Sequence, residues 1–300
     1  MKKFRGLLLA MLASATFGFI PLFSIPLLNR GIDLDSVCFY RFAFATFFMW
    51  LICKIKRVKL DYSWKELGAM ALLSIFYAAT SFFLTASYKY ISSGTATTIH
   101  FFYPVVVALA MMLFFREKVS VWKLIAIAAG VAGVFFLSGG VSGEKISLTG
   151  LILVLVTVIT YPAYLVGVNR TPVVMKMDGM KQTLLVLGYS AIIFFINVMV
   201  KGAHFTPLST GEHWIYALCL AIIPTLVSDF ALIYAIQLAG STITAILGCM
   251  EPLVAVICGV VFFGEAFTSN SLLGMLLVFA AVFIIIICSR PHKNGEARSV

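Results

Sequence analysis

"EPLVAVICGVVFFGEAFT", residues 251 to 268, restates "YPVVVALAMMLFFREKVS", residues 103 to 120, without a gap at an offset of 148. Pro104 falls on Pro252, Phe114 and Phe115 on Phe262 and Phe263, and Glu117 on Glu265. Each proline stands inside an apolar run, where it removes a backbone donor and crowds the preceding helical turn. Directly before the prolines stand Tyr103 and Glu251, and an ionisable group in such a run is expensive in hydrocarbon. A chain that spaces these costly pairs so regularly reads as two related halves. Two weaker likenesses agree: "SSGTATT" at 92 to 98 with "GSTIT" at 240 to 244, and "GLLLAMLASATF" from 6 with "GLILVLVTVITY" from 150.

The setting of these repeats is a bilayer. The chain is 62% hydrophobic and 11% charged, where ordinary globular domains carry about 25% charged residues. Apolar runs long enough to span as helices recur along it. Breaks at charged or Gly/Pro/Ser-rich positions delimit ten predicted helices, at about 7 to 28, 35 to 54, 66 to 88, 94 to 115, 119 to 138, 148 to 168, 182 to 200, 213 to 238, 241 to 262 and 271 to 288. The N-terminal "MKKFRGLLLAMLASATFGFIPLF" has the basic start and small-residue "ASA" of a cleaved signal. Its apolar run continues to Leu28 and has a later counterpart, so it reads as the first span.

With the N-terminus inside, seventeen Lys and Arg fall on the cytoplasmic side and four, Arg30, Lys89, Lys145 and Lys201, on the other. That bias predicts both termini in the cytoplasm. It also accounts for the net charge of +10 without a nucleic-acid partner. The halves, 1–146 and 147–300, then hold five helices each. Five is odd, so the second half enters the membrane with opposite polarity. Such inverted repeats place substrate near the midplane of secondary transporters, at the repeat interface. The expected fold is an all-α membrane protein of ten transmembrane helices in two inverted five-helix repeats around a central cavity.

The small, Thr-rich opening of the fourth helix, the mid-helix "YP" and "EP", the "FFREK" and "FFGEA" ends and the five-plus-five plan resemble the EamA family of the drug/metabolite transporter superfamily. The resemblance covers essentially the whole chain. It implies a basket of helices around a central cavity and export of amino acids, other metabolites or drugs across the cell membrane.

Glu251 is the foremost candidate on the substrate path, as a group that binds a cation or titrates; the plainer reading is an inter-helix hydrogen bond. Asp229, five residues after Pro224, and Arg41, nearer the outer side, lie within predicted spans, and His100 stands one turn before Pro104. Together with Tyr103 these residues suit a substrate with two charged ends, Arg41 taking a carboxylate and Asp229 or Glu251 an ammonium. An Arg–carboxylate structural pair is the alternative. Tyr77, Ser81, Tyr161 and Tyr164 line the cavity or pack between helices. Pro104 and Pro252 are expected to break their helices beside it. Glu117 and Glu265 read as helix-end carboxylates satisfying nearby amides rather than as gates.

Cys38, Cys219, Cys249 and Cys258 lie within spans, and Cys53 and Cys288 near span ends. No Cys/His spacing suggests a metal, and they read as small core hydrophobes. No cofactor is expected. There is no P-loop for nucleotide. The histidines, His100, His204, His213 and His292, fall at different depths, which argues against a membrane enzyme. The expected function is secondary transport of a small molecule by alternating access. A lipid or lipid-carrier flippase is the alternative, distinguished by a lateral opening between helices. The fifth and tenth helices carry almost no polar groups and read as scaffold or as a homodimer face.

Overall fold

The computed structural model describes residues 2–91, 93–117, 120–137, 147–201, 205–263 and 268–288. Among them the ordered elements are all helical: α1 Lys2–Phe17, α2 Ile20–Asn29, α3 Leu34–Ile55, α4 Trp64–Ser87, α5 Ser93–His100, α6 Tyr103–Phe115, α7 Val121–Leu137 and α8 Leu148–Arg170. The short α9, Pro172–Met175, leads into α10 Gly179–Val200 and α11 Gly211–Ala221; a π-helical segment, Ile222–Val227, joins α11 to α12 Ser228–Ala239. α13 Ser241–Leu247, α14 Met250–Phe263 and α15 Ser269–Cys288 complete the chain. Side-chain acceptors start several of these helices: Asp33 takes the Ser36 N–H, Thr210 takes that of His213, and Ser63 and Glu66 cap α4 reciprocally. Such caps satisfy amide groups that a helix leaves unpaired at its start.

Six helical stretches, Lys2–Asn29, Leu34–Ile55, Trp64–Ser87, Leu148–Arg170, Gly179–Val200 and Gly211–Ala239, are long and apolar enough to cross a bilayer. Shorter apolar helices, Tyr103–Phe115, Val121–Phe136, Ser241–Val254 and Leu272–Ile285, accompany them. The first run is split at Gly18 and Phe19, the fourth at Phe101 and Phe102, and the ninth at Gly248 and Cys249. Large apolar side chains face outward, Phe114 at 78% and Val200 at 80% exposure, as in a protein whose solvent is lipid.

The four most extensive helix pairings are α7 with α15, α1 with α12, α4 with α8 and α3 with α10. Two related halves explain that set. Exchanging the halves turns α1–α12 into α8–α4, and maps the other two pairings onto themselves.

Polar contacts mark the two ends of the bundle. At the end rich in Lys and Arg, Lys181 meets Asp61, and Glu117 joins Lys123 at 3.3 Å and Arg170 at 3.0 Å. Thr242 reaches the same Glu117 carboxylate at 3.4 Å. Glu117 is therefore an ion-pair hub between chain segments, in place of the expected cap for nearby amides. At the opposite end Arg30 pairs with Glu212, and Asp35 with Lys201 and Asn197. There Asp33 accepts from Ser36 and Thr206. Burial raises the Asp33 carboxyl's proton affinity, but these hydrogen bonds outweigh it and hold its pKa below the usual carboxylate value. Glu265 lies outside the described residues.

Candidate functional site

The interruptions converge. Pro252 has no N–H to offer Gly248, the carbonyl four residues back, so that carbonyl accepts from Glu251 N–H at 3.0 Å and from the Ser14 hydroxyl at 2.8 Å. A buried carbonyl is thus satisfied from α1. Gly18, at the split of the first run, lies so close that a Cβ there would meet the Glu251 carbonyl at 2.5 Å. A Cβ on Gly248 would overlap the Tyr103 hydroxyl. Glycine at these positions lets three broken helices meet.

Between α11 and α12 the chain solves the same problem differently. Pro224 cannot donate to Leu220 in α-helical register, and the Thr225 hydroxyl does so at 2.7 Å. With its proton committed, Thr225 Oγ1 accepts from Arg41 Nε at 2.7 Å, while Arg41 Nη1 donates to Ser81 at 3.1 Å. Arg41 is 4% exposed, and no ion pair among the described residues includes it. The alternative expectation of an Arg–carboxylate structural pair is not met: hydroxyls hold the guanidinium instead. Asp229 and Glu251 act on this buried cation only from beyond ion-pair distance, and a buried cation so weakly compensated is costly.

Arg41, Ser81, Tyr77, His100, Tyr161 and Glu251 border a cavity of about 40 Å³, which extends past Ile20, Leu84 and Thr85 toward the end where α3 begins. A cavity of roughly 10–15 Å³ by this measure holds one water, so this one admits a few waters and no metabolite. A smaller cavity of about 10 Å³ lies toward the basic end, against Ser14, Tyr103, Leu232, Thr244 and Gly248. Phe17, Tyr161 and Glu251 border both. The wall between the cavities is therefore built from equivalent positions of the two halves. Phe17 and Tyr161 end the two aligned segments that begin at 6 and 150, and Tyr103 and Glu251 each precede the repeated proline. The rings of Tyr103 and Tyr161 meet edge to face with centroids 4.8 Å apart.

Glu251 has no hydrogen-bonding partner for its carboxylate among the described residues. His100 Nδ1 lies 2.8 Å from Thr157 Oγ1, whose proton goes to the Val154 carbonyl at 2.6 Å. His100 therefore donates from Nδ1, leaving Nε2 as an acceptor at the cavity. Asp229 is placed apart from this cavity. It is wholly buried behind Tyr77, whose hydroxyl donates to Oδ1 at 2.5 Å, and Oδ2 has no partner. Tyr164, expected at the cavity or between helices, packs against Tyr77 with ring centroids 4.8 Å apart. Pro104 comes just after the turn at Phe101 and Phe102, and Pro252 just after that at Gly248 and Cys249. His204 and His292 lie outside the described residues.

Residue types and spacing did not announce Ser14 and Thr225. The available signal was a hydroxyl one residue after Pro224, and a serine in the first helix that only the fold brings to Gly248.

The model of the EamA-like transporter family matches the chain twice, over residues 4–139 and 148–287. YvbV of Bacillus subtilis, named an uncharacterized transporter, is 24% identical over 247 residues, covering 80% of this chain and 77% of its own. YicL of Salmonella typhimurium, named an uncharacterized inner membrane transporter, is 25% identical over 240 residues and covers 77% of each chain. A solved crystal structure superposes with a TM-score of 0.79 at 14% identity, covering 94% of this chain and 98% of that one.

Proposed function

The chain belongs to the EamA-like transporter family, and from that premise we propose that it is a secondary transporter of a small zwitterionic metabolite, of the amino-acid class, moved by alternating access. One observation carries the substrate class. Arg41 and Glu251, a basic and an acidic side chain, border the same cavity, and neither is within ion-pair distance of a protein charge among the described residues. A ligand carboxylate on the guanidinium and a ligand ammonium on the carboxylate relieve both costs at once. The aromatic walls, Phe17, Tyr77 and Tyr161, suit the body of such a ligand.

In this reading the ten apolar runs all span the membrane, both termini are cytoplasmic, and the membrane is the cell's inner one. The Lys/Arg bias supports the orientation. Export rests on the family resemblance alone. Catalysis has no part in the reading.

A lipid substrate is the second reading. An apolar cleft of about 480 Å³ opens between α6 and α7, along Phe102, Val105, Ile127 and Val131. It shares no lining residue with the polar cavity, which favours the soluble substrate. Proteoliposomes loaded with pooled labelled amino acids, with and without a pH gradient, test the choice. Movement lost in Arg41→Gln and in Glu251→Gln supports the zwitterion. Liposomes that move no amino acid but flip a fluorescent phospholipid defeat it in favour of the second reading.

A further inference from the structure

The two helix breaks occupy equivalent places in the repeats, yet they are in different states. At the offset of 148, Tyr103 corresponds to Glu251 and His100 to Gly248. Tyr103 is seated on Gly248, its hydroxyl in the space a Cβ would take, and this contact lies toward the basic end of the site. The equivalent pair, Glu251 and His100, faces the main cavity from two walls with no hydrogen bond between them. The sizes are complementary: the long phenol meets a residue without a side chain, and the shorter carboxylate faces an imidazole.

Inverted repeats exchange conformations when the accessible side changes. We propose that when the site turns to the basic end, Tyr103 leaves Gly248 and Glu251 closes the opposite end by hydrogen-bonding His100, and that this closure takes up one proton. It rests on the alternating-access reading above and adds to it the closing contact and its ligand.

The need for a proton comes from the hydrogen-bond roles. His100 commits Nδ1–H to Thr157, so Nε2 presents a lone pair, and an ionised carboxylate also only accepts. Two acceptors cannot close on each other. A proton from water at the open end, placed on the Glu251 carboxyl, supplies the O–H that Nε2 accepts; the imidazolium–carboxylate form of the pair has the same composition. The ionisable groups around the pair are Arg41 from α3, Tyr77 from α4 with Tyr88 just beyond it, Tyr103 from α6 and Tyr161 from α8. Behind Tyr77 stands Asp229. From α1 the site meets Ser14 and Phe17, which carry no charge.

Hydrogen exchange by mass spectrometry, on the full chain in lipid nanodiscs without substrate, reads this directly. Between about pH 8 and about pH 5.5, a window centred near the histidine range, and after correction for intrinsic exchange, acid is expected to deprotect residues 241–248 and protect 84–87. One linked proton shifts the ratio of the two states by up to about tenfold per pH unit. Glu251→Gln places an amide donor against Nε2 without a proton, and His100→Gln offers a donor to the ionised Glu251. Both variants are expected to show a pattern that no longer depends on pH, so either alone keeps the test alive if the other misfolds. A wild-type protein whose pattern ignores pH, or variants that shift as the wild type does, overturn the proposal. A pH-dependent wild type that carries no amino acid leaves the gate standing and removes the zwitterion reading.

Discussion

Arg41 Nε donates to Thr225 Oγ1 over 2.7 Å, and the same hydroxyl gives its proton to the Leu220 carbonyl that Pro224 cannot serve in α-helical register. A proline thereby orients an arginine. The frozen hydroxyl can only accept from the guanidinium, Nη1 donates to Ser81, and the N–H groups that remain are left for the cavity. Thr225→Val keeps the shape and removes both bonds. The expected loss is about 1–3 kcal/mol, the range for stranding buried polar groups, read as a lower melting temperature in detergent. Thr225→Ser is expected to restore most of it; a valine variant as stable as the parent would show that the hydroxyl holds nothing.

Arg41 itself is expected to behave differently for stability and for binding. Arg41 is held by two hydroxyls rather than by a direct ion pair, and a glutamine amide can still donate to one of them, so Arg41→Gln is expected to lower the melting temperature only slightly. Its affinity for an amino-acid ligand should fall at least about tenfold, equivalent to about 1.4 kcal/mol. Arg41→Lys keeps the charge without the two-pronged geometry and should recover only part. Paired melting and ligand-binding curves check this, and a large loss of stability with unchanged affinity would make Arg41 structural.

The repeats could be found by counting residues, because the costly "YP" and "EP" pairs recur at one spacing, and apolar run lengths showed where the chain favours hydrocarbon. Counting does not supply rotational phase. Asp229 and Arg41 both stand inside predicted spans, but one helix turns Asp229 behind Tyr77 while another turns Arg41 to the cavity. The π-helical segment at Ile222–Val227 widens the helical turn there and re-phases α12 beyond it, and Pro224 alone did not distinguish that outcome from a kink. Ser14 was invisible for another reason: its partner, the Gly248 carbonyl, is 234 residues away.

At the end where α3 begins, Asp33 offers a pH test outside the membrane. Its carboxyl caps α3 and binds Thr206, with its pKa held below the ordinary value once the hydrogen bonds outweigh burial. A depressed folded-state pKa gives stability that is present above the unfolded value, about 3.9, and is lost as pH falls through the folded one. Asp33→Ala should therefore cost about 1 kcal/mol near neutrality, a usual cap effect. Melting curves of the two proteins should converge in acid, below about pH 4. A difference that stays constant well below about pH 4, through the depressed folded-state value, would assign the effect to packing.

Ser14 and Pro252 should be coupled through a carbonyl that neither owns. Gly248 lacks the residue-252 N–H of a continuous helix, and the Ser14 hydroxyl stands in for it at 2.8 Å. Ser14→Ala in the wild-type background should lower stability by about 1 kcal/mol, the net value of a typical buried hydrogen bond. In a Pro252→Ala background the restored N–H can serve the carbonyl, so the same serine change should cost little. The interaction term of this double-mutant cycle, about 1 kcal/mol, measures how far the serine exists for the sake of the proline. Single and double losses that simply add would mean that Ser14 stabilises α1 against α14 by packing, and that the Gly248 carbonyl finds its second partner elsewhere.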